Sequence, residues 1–291
     1  GLDLTAPTIS YTAFGNTSST ADRVLSTSIT DASGVPTSGA GLPVLYWKIN
    51  AGAYSAVTAT YVSGSTYTFT FGAGVVATDV VSYYIVAQDN AGSPNTAAFP
   101  AAGASGFTTN PPAASTPPTT PSSYTIVASI SGTFSVGAAG NYATLTAALA
   151  DIANKEMTGA VTLELAADYV PASETFPVTF GVYAGASGTN LLTVKPASGT
   201  THTITATSAS SIFKFNGADY VVLDGSNNGS TSRDITVENT STGASSAVIW
   251  VASLGANAGA TNNTIKNLNV KAGSITASTY GIFVGGASVA T

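Results

Sequence analysis

The sequence predicts an all-β chain: a two-sheet β-sandwich, then the N-terminal part of a right-handed parallel β-helix opened by a capping helix. Three observations carry that reading. Residues 44–87 alternate apolar and polar side chains with period two, between turns of Gly, Asn and Ser, as half-buried strands do. Residues 161–284 repeat short apolar strands separated by Gly, Ser, Thr and Asn, the pattern of stacked coils. Between the two lies a stretch crowded with proline.

In the first part, residues 1–108, Leu45, Trp47 and Ile49 share one strand face and Val44, Tyr46 and Lys48 the other. The chain turns at Asn50-Ala51-Gly52 and at Ser63-Gly64-Ser65. Tyr67, Phe69 and Phe71 then alternate with threonines, and the strand at 80–87 ends in the turn cluster at 88–92. Trp47 stands where an immunoglobulin-type strand C carries its core Trp. The stretch Asp79-Val80-Val81-Ser82-Tyr83 resembles the tyrosine-corner region, with Ile85 where a disulfide cysteine would stand. The resemblance implies an immunoglobulin-like sandwich; with no cysteine in the chain, packing alone must hold its core. Trp47 and Tyr83 are read as core residues.

Residues 109–123 contain Asn110-Pro111-Pro112 and Thr116-Pro117-Pro118-Thr119-Thr120-Pro121. Consecutive prolines favour polyproline II and cannot join a sheet ladder, which predicts a semi-rigid spacer.

The second part, residues 124–291, opens with a strand, a Gly-rich turn and one amphipathic segment. Leu145, Ala148, Leu149 and Ile152 fall at i, i+3, i+4 and i+7, predicting a helix from Tyr142 to about Asn154. Ahead of a long β region, such a helix covers the open end of the solenoid core. Phe213, Ile249 and Phe283, spaced 36 and 34 residues apart, read as equivalent strand positions. Asn239 and Asn269 read as stacked turn positions forming an amide ladder. Residues 281–284 are expected to pair with 265–270.

Residues 134–152 resemble the opening of pectin-lyase-like β-helix proteins, where a strand, a Gly-rich turn and an aromatic-x-Thr-Leu helix cap the first coil. Gly217-Ala218-Asp219-Tyr220-Val221-Val222-Leu223-Asp224-Gly225-Ser226 is similar to their recurring coil. As a whole the chain resembles large cell-surface proteins of Bacteroidetes exported by the type IX secretion system. Those carry immunoglobulin-like and β-helix modules and a C-terminal sorting domain that engages the secretion machinery. The sequence opens at Gly1-Leu2-Asp3 and stops just after Gly285-Gly286-Ala287, within a strand-like pattern, so it reads as an internal fragment continuing beyond Thr291.

Composition supports an extracellular setting. Apolar and aromatic residues make up 44% of the chain, enough for real cores, whereas charged residues make up only 8%, against about 25% in an average soluble protein. Residues 1–122 hold two basic and five acidic side chains, and residues 123–291 six and nine, so the net −6 divides evenly. With no Lys/Arg stripe, phosphate-dominated nucleic-acid binding and attachment to acidic membranes have no electrostatic basis. No apolar run is long enough to cross a bilayer. A secreted-looking chain without cysteine points to bacteria.

Residues with chemical potential are few. Pectin lyases and esterases need clustered acids with a Lys or Arg; here Asp219, Asp224, Asp234, Glu238, Lys214 and Arg233 are the candidates. The esterase's Gln-Asp-Thr and Asp-Phe-Ile patterns are absent, and Asp224-Gly225 reads as a turn. No residue is assigned as catalytic. His202, the lone histidine, has no second histidine with which to bind a metal. Asp31-Ala32-Ser33-Gly34 and Asp89-Asn90-Ala91-Gly92 fit ordinary turns, yet Asp31, Asp89 and Asn90 are also the candidate oxygen ligands for Ca²⁺. The sequons at Asn16, Asn228, Asn239 and Asn262 read as incidental in a bacterial protein. The expected function is a non-catalytic structural or adhesive module whose partners are extracellular glycans or other surface proteins. The alternatives are the N-terminal part of a carbohydrate-active enzyme, or a carbohydrate-binding module stacking sugars on Tyr54, Tyr61 or Tyr220.

Overall fold

The computed structural model describes residues 3–274, 279–286, 288 and 289. The chain ends at Gly1-Leu2 and Thr291, on which the fragment reading rests, and Ala287 lie outside the described residues. The chain divides into two compact units, Gly1–Ala128 and Ser129–Thr291.

In the first unit the strands are β1 (Thr8–Ser10), β2 (Arg23–Thr30), β3 (Val44–Ile49), β4 (Ser55–Thr58), β5 (Thr60–Ser63), β6 (Thr66–Phe71), β7 (Val80–Gln88), β8 (Thr96–Phe99), β9 (Ser105–Thr108), β10 (Ala113–Thr116) and β11 (Ser122–Thr125). They form two antiparallel sheets of order β1-β2-β6-β5 and β11-β7-β3-β4, with β8 added on β7, plus the β9–β10 hairpin. Period-two alternation decides which face is buried. On β6, Tyr67, Phe69 and Phe71 point inward beside Leu25 and Ile29 of β2, and the intervening threonines face outward. The other sheet supplies Leu45, Val81, Tyr83 and Ile85 to the same core. Ile85 is fully buried, as its place opposite Leu45 requires.

Two aromatic expectations are modified. Trp47 is only partly buried, at the core's rim against Phe71, with ring centroids 5.9 Å apart. Tyr83 is fully buried, but its hydroxyl accepts the N–H of Phe14, 69 residues upstream, at 2.9 Å, not a donor within its own corner.

The spacer expected at 109–123 is a correction. Pro111 and Pro112 lie in a turn and Pro117, Pro118 and Pro121 in irregular backbone, while the proline-free pieces Ala113–Thr116 and Ser122–Thr125 are strands. The second pairs with β7 through Tyr124↔Val81 and belongs to the sandwich, so this unit runs to Ala128. The β9–β10 region also has a packing role. Strand β7 is buried on both faces, and Ala104 and Ala114 pack on its outer cluster of Tyr84, Val86 and Ala98. There the Tyr46 hydroxyl donates to Pro112 O at 3.0 Å.

The second unit is a parallel β-solenoid of about five turns. Its strands are β12 (Ala128–Val136), β13 (Lys155–Leu165), β14 (Val178–Phe180), β15 (Leu192–Pro196), β16 (His202–Ala206), β17 (Phe213–Asn216), β18 (Val221–Asp224), β19 (Ile235–Asn239), β20 (Ser246–Ala252), β21 (Thr264–Lys266), β22 (Leu268–Ala272) and β23 (Thr279–Gly285). The three sheets run β12-β13-β15-β18-β21, β14-β17-β20-β23 and β16-β19-β22. One core fills the tube, from Val161, Leu163, Val178 and Phe180 through Val194, Ile204 and Phe213 to Leu223, Val237 and Ile249.

Helix α1 (Leu145–Ile152) buries Leu145, Ala148, Leu149 and Ile152 in that core, the four residues its spacing selects. Thr144 is the N-cap, its hydroxyl accepting the Ala147 N–H at 3.1 Å. A second cap comes from far along the chain. The carboxylate of Glu174 accepts the N–H groups of Leu145 and Thr146 and the Thr146 hydroxyl. A negative charge there satisfies orphan donors and matches the positive end of the helix dipole. The buried Tyr169 hydroxyl donates to the same carboxylate at 2.9 Å; burial, reinforced by the Glu174 charge, raises its pKa strongly.

Register refines the repeat. Phe213 pairs with Ile249, 36 residues on, as expected, but Ile249 pairs with Ile282, and Phe283 stands beside Trp250. Strand β23 pairs with β20, one full turn earlier, and not with 265–270. Asn239 pairs with Ala272 and Asn269 with Thr236, so the expected amide ladder does not form. Asn239 instead turns inward at a corner. Its Oδ1 accepts the N–H groups of Ser208 and Ser241 at 3.0 and 3.1 Å, and its Nδ2 donates to Ser208 O and Ala247 O at 2.9 and 2.8 Å.

On the outer face of the first solenoid sheet, charges alternate in sign along the stack. Glu164 pairs with Lys195 at 3.0 Å and Asp224 with Lys266 at 3.2 Å. Lys195 and Asp224 each lie one residue past the paired Val194 and Leu223.

Candidate functional site

The first unit brings three carboxylates together. Asp31 follows β2, Asp89 follows β7, and Asp3 precedes β1; one oxygen from each lies within 4.8 Å of the other two. Each is aimed by its own turn. The Asp31 carboxylate accepts the N–H and hydroxyl of Ser33, both at 2.8 Å, and Gly34 N–H closes the turn on Asp31 O. The two loops are then tied together, because Asn90 N–H donates to Gly34 O at 3.0 Å.

Asp89 is fully buried and accepts the N–H groups of Ala91 and Asn95 and the Asn95 side-chain amide. That amide also reaches Asp3 O at 3.2 Å, which fixes the N-terminal segment. The Thr5 hydroxyl and N–H hold the Asp3 carboxyl below its ordinary pKa.

Of the residues singled out for Ca²⁺, the fold therefore joins Asp31 and Asp89. Asn90 stays exposed and contributes its backbone as a stitch. Asp3 was missed, although it is one of only five acids in residues 1–122. No basic side chain among the described residues neutralises the group. Arg23 lies over Phe14 and Tyr124, and Lys48 lies over Tyr54. The donors are hard carboxylate oxygens on loops, the chemistry suited to Ca²⁺ and not to thiophilic metals.

The solenoid candidates are dispersed. Asp219 accepts the N–H and hydroxyl of Thr261. For Asp224, burial raises the pKa, but the Asn267 amide, the Ser226 N–H and Lys266 outweigh it and hold the carboxyl below its ordinary range. Gly225 beside it is required by close approach, since a Cβ there would sit 1.8 Å from Asn267 O. Asp234 accepts the Ser232 hydroxyl and the Asn227 N–H, which lower its pKa. Lys214 lies on another sheet, 4.1 Å over the Trp250 ring. Glu238 belongs to the third sheet, beside Lys271, and Arg233 is exposed. Tyr54 packs edge-on to Tyr84 and Tyr61 against Tyr67, while Tyr220 belongs to the second unit.

His202 is half-buried, its Nε2 3.1 Å from both Leu165 O and the Thr200 hydroxyl, and its ring edge-on to Tyr169. Burial disfavours the charged ring and lowers its pKa from the ordinary 6.5. The neutral form is thus the one the fold favours. Its contribution is complete above pH 6.5 and is lost as pH falls through the depressed folded value. Melting of the second unit is expected to drop modestly between about pH 7.5 and 5.5, and less so in His202→Gln. Equal pH dependence in the two proteins would refute this role.

Among the described residues, no helix is long and apolar enough to cross a membrane. A scan against protein-family models finds no match to this chain, and a search of curated proteins finds none similar to it.

Proposed function

We propose that this chain is a non-catalytic structural or adhesive module of a large secreted bacterial surface protein. The observation that carries the reading is how the solenoid acids are used. Asp219, Asp224 and Asp234 each hold donors of surrounding loops and turns, and at Asp224 and Asp234 those hydrogen bonds hold the carboxyl below its ordinary pKa, away from the acid's role. The strand orders β1-β2-β6-β5 and β11-β7-β3-β4 support reading the first unit as an immunoglobulin-like sandwich, whose sheets run A-B-E-D and G-F-C-C′. A charge-poor surface and a stiff solenoid suit display at the cell surface, toward extracellular glycans or other surface proteins. Export by a type IX system in a Bacteroidetes cell is what the sequence resemblance adds. Incubation with acidic polysaccharides is expected to release no unsaturated sugars. Release that Asp224→Ala abolishes would replace this reading with the enzyme.

The uncompensated carboxylates of Asp3, Asp31 and Asp89 favour a second, compatible reading: Ca²⁺ pins the loops at one end of the sandwich. Saturating Ca²⁺, at about 100 times its dissociation constant, is expected to stabilise the first unit by about 2.7 kcal/mol over the chelated protein. The gain should shrink in Asp3→Asn, whose side chain is not deeply buried. An unchanged melting temperature with and without Ca²⁺ rules the site out.

A further inference from the structure

We propose that the loop between β18 and β19 carries a self-modifying site, at which the Gly229 nitrogen attacks the Asn228 side chain and converts it to aspartate and isoaspartate. The chain holds three steps of Asn or Asp followed by glycine: Asn216-Gly217, Asp224-Gly225 and Asn228-Gly229. At such a step the next main-chain nitrogen is one five-membered ring away from the side-chain carbonyl carbon, and glycine has no β-carbon to hinder closure. Structure decides which of the three reacts.

Two are locked. The Gly217 N–H donates to Ala252 O at 2.9 Å, and Asn216 lies in β17, paired with Ala252. The Gly225 N–H donates to Lys266 O at 3.0 Å, and the Asp224 carboxylate is committed to Ser226, Asn267 and Lys266. Neither nitrogen can turn onto its neighbour's side chain without breaking a bond between coils.

Asn228-Gly229 differs on each count. Both residues are exposed and lie outside any strand. Among the described residues the Gly229 N–H meets no acceptor, and the space where a β-carbon would stand is open, with φ at +73°. The hydrogen bonds of the Asn228 side chain all fall on Oδ1, which leaves Nδ2 free to depart. The Ser230 N–H reaches Oδ1 at 3.0 Å and closes an Asx turn across Gly229. The Ser230 hydroxyl donates at 2.6 Å and the Ser226 hydroxyl at 3.0 Å. Ser232 is also near, but its proton goes to Asp234 at 2.6 Å. Three donors therefore face the oxygen on which negative charge develops during attack, the arrangement that stabilises an oxyanion.

The reaction balances with water alone. Base from solvent takes the Gly229 N–H proton, and the nitrogen forms its bond to Asn228 Cγ. The bond from Cγ to Nδ2 then breaks, and Nδ2 leaves as ammonia with a proton from water. One water opens the cyclic imide, at Cγ to give aspartate or at the main-chain carbonyl to give isoaspartate. Either product adds one negative charge. An aspartate inherits the same donors, which favour its ionised form, and the extra main-chain carbon of isoaspartate falls where no ladder is disturbed. Since no enzyme takes part, the extent of conversion counts the time the folded chain has spent in water.

Peptide mapping by mass spectrometry of the folded chain, sampled during incubation, tests this. Asn228 is expected to convert at least about tenfold faster than Asn216, because reaction at Asn216 waits on local opening of the sheet. In urea, where both steps are free, the two rates should converge. Conversion at Asn228 should be faster at about pH 8 than at about pH 6, since attack needs the deprotonated nitrogen. Ser230→Ala, which removes the shortest donor and keeps the Asx turn, should slow Asn228 severalfold and leave Asn216 unchanged. A residue 228 that stays Asn in the folded chain, equal rates at 216 and 228 before urea is added, or an unslowed Ser230→Ala would each overturn the proposal.

Discussion

Replacing Leu149 with Asp is expected to unfold the second unit while the first melts as in the parent chain. Leu149 is 4% exposed, on the face of α1 that closes the solenoid core beside Leu145 and Ile152. Removing a buried leucine side chain costs about 2–5 kcal/mol. Installing an unpaired carboxylate adds a desolvation penalty of several kcal/mol more. Domains are stable by only about 5–15 kcal/mol, so the sum exhausts the margin. The sandwich keeps its own core, built from Leu25, Phe69, Tyr83 and their neighbours. Calorimetry should show the transition of the second unit lost in Leu149→Asp and lowered in Leu149→Ala. Survival of both transitions at the parent temperatures would mean that the helix does not seal the core.

Asn239→Leu should be nearly as damaging, though it preserves size and adds apolar surface. Asn239 is 2% exposed, and its amide meets two backbone N–H groups and two carbonyls. Leucine leaves all four without that partner at a buried corner. A buried unsatisfied group costs about 1–3 kcal/mol, so a loss of roughly 4 kcal/mol or more is expected. Asn239→Asp, which keeps the acceptors and loses the donors, should fall between. Urea unfolding of the second unit reads this as a lower midpoint at constant slope. A midpoint shift worth less than about 1 kcal/mol would show that water replaces the amide.

What the sequence reveals depends on the range of the interaction. Helix α1 was legible because Leu145, Ala148, Leu149 and Ile152 encode their face within two turns of chain. Its second cap was not, since Glu174 reaches Leu145 from 29 residues away and nothing local marks it. The solenoid was legible as a repeat, but Ile282-Phe283-Val284 is apolar throughout, so alternation could not choose between Ile282 and Phe283 as the partner of Ile249. Strands β10 and β11 were hidden by averaging: each holds only four proline-free residues directly after a proline, and pairing decides their state. Asp31 and Asp89 advertised themselves by turn chemistry. Asp3 joins them only because β1 lies beside β2, a fact of topology.

The sign alternation of Glu164, Lys195, Asp224 and Lys266 bears on how such a solenoid changes its length. Removing one turn would seat an acid directly over an acid, or a lysine over a lysine, at ladder spacing where like charges repel. Removing two adjacent turns would restore opposite neighbours. The same penalty acts during folding, when a coil that skips its neighbour and docks one turn too far meets its own sign. Along this face, turns are therefore gained and lost most readily in pairs, and the ladder acts as a parity check on the count.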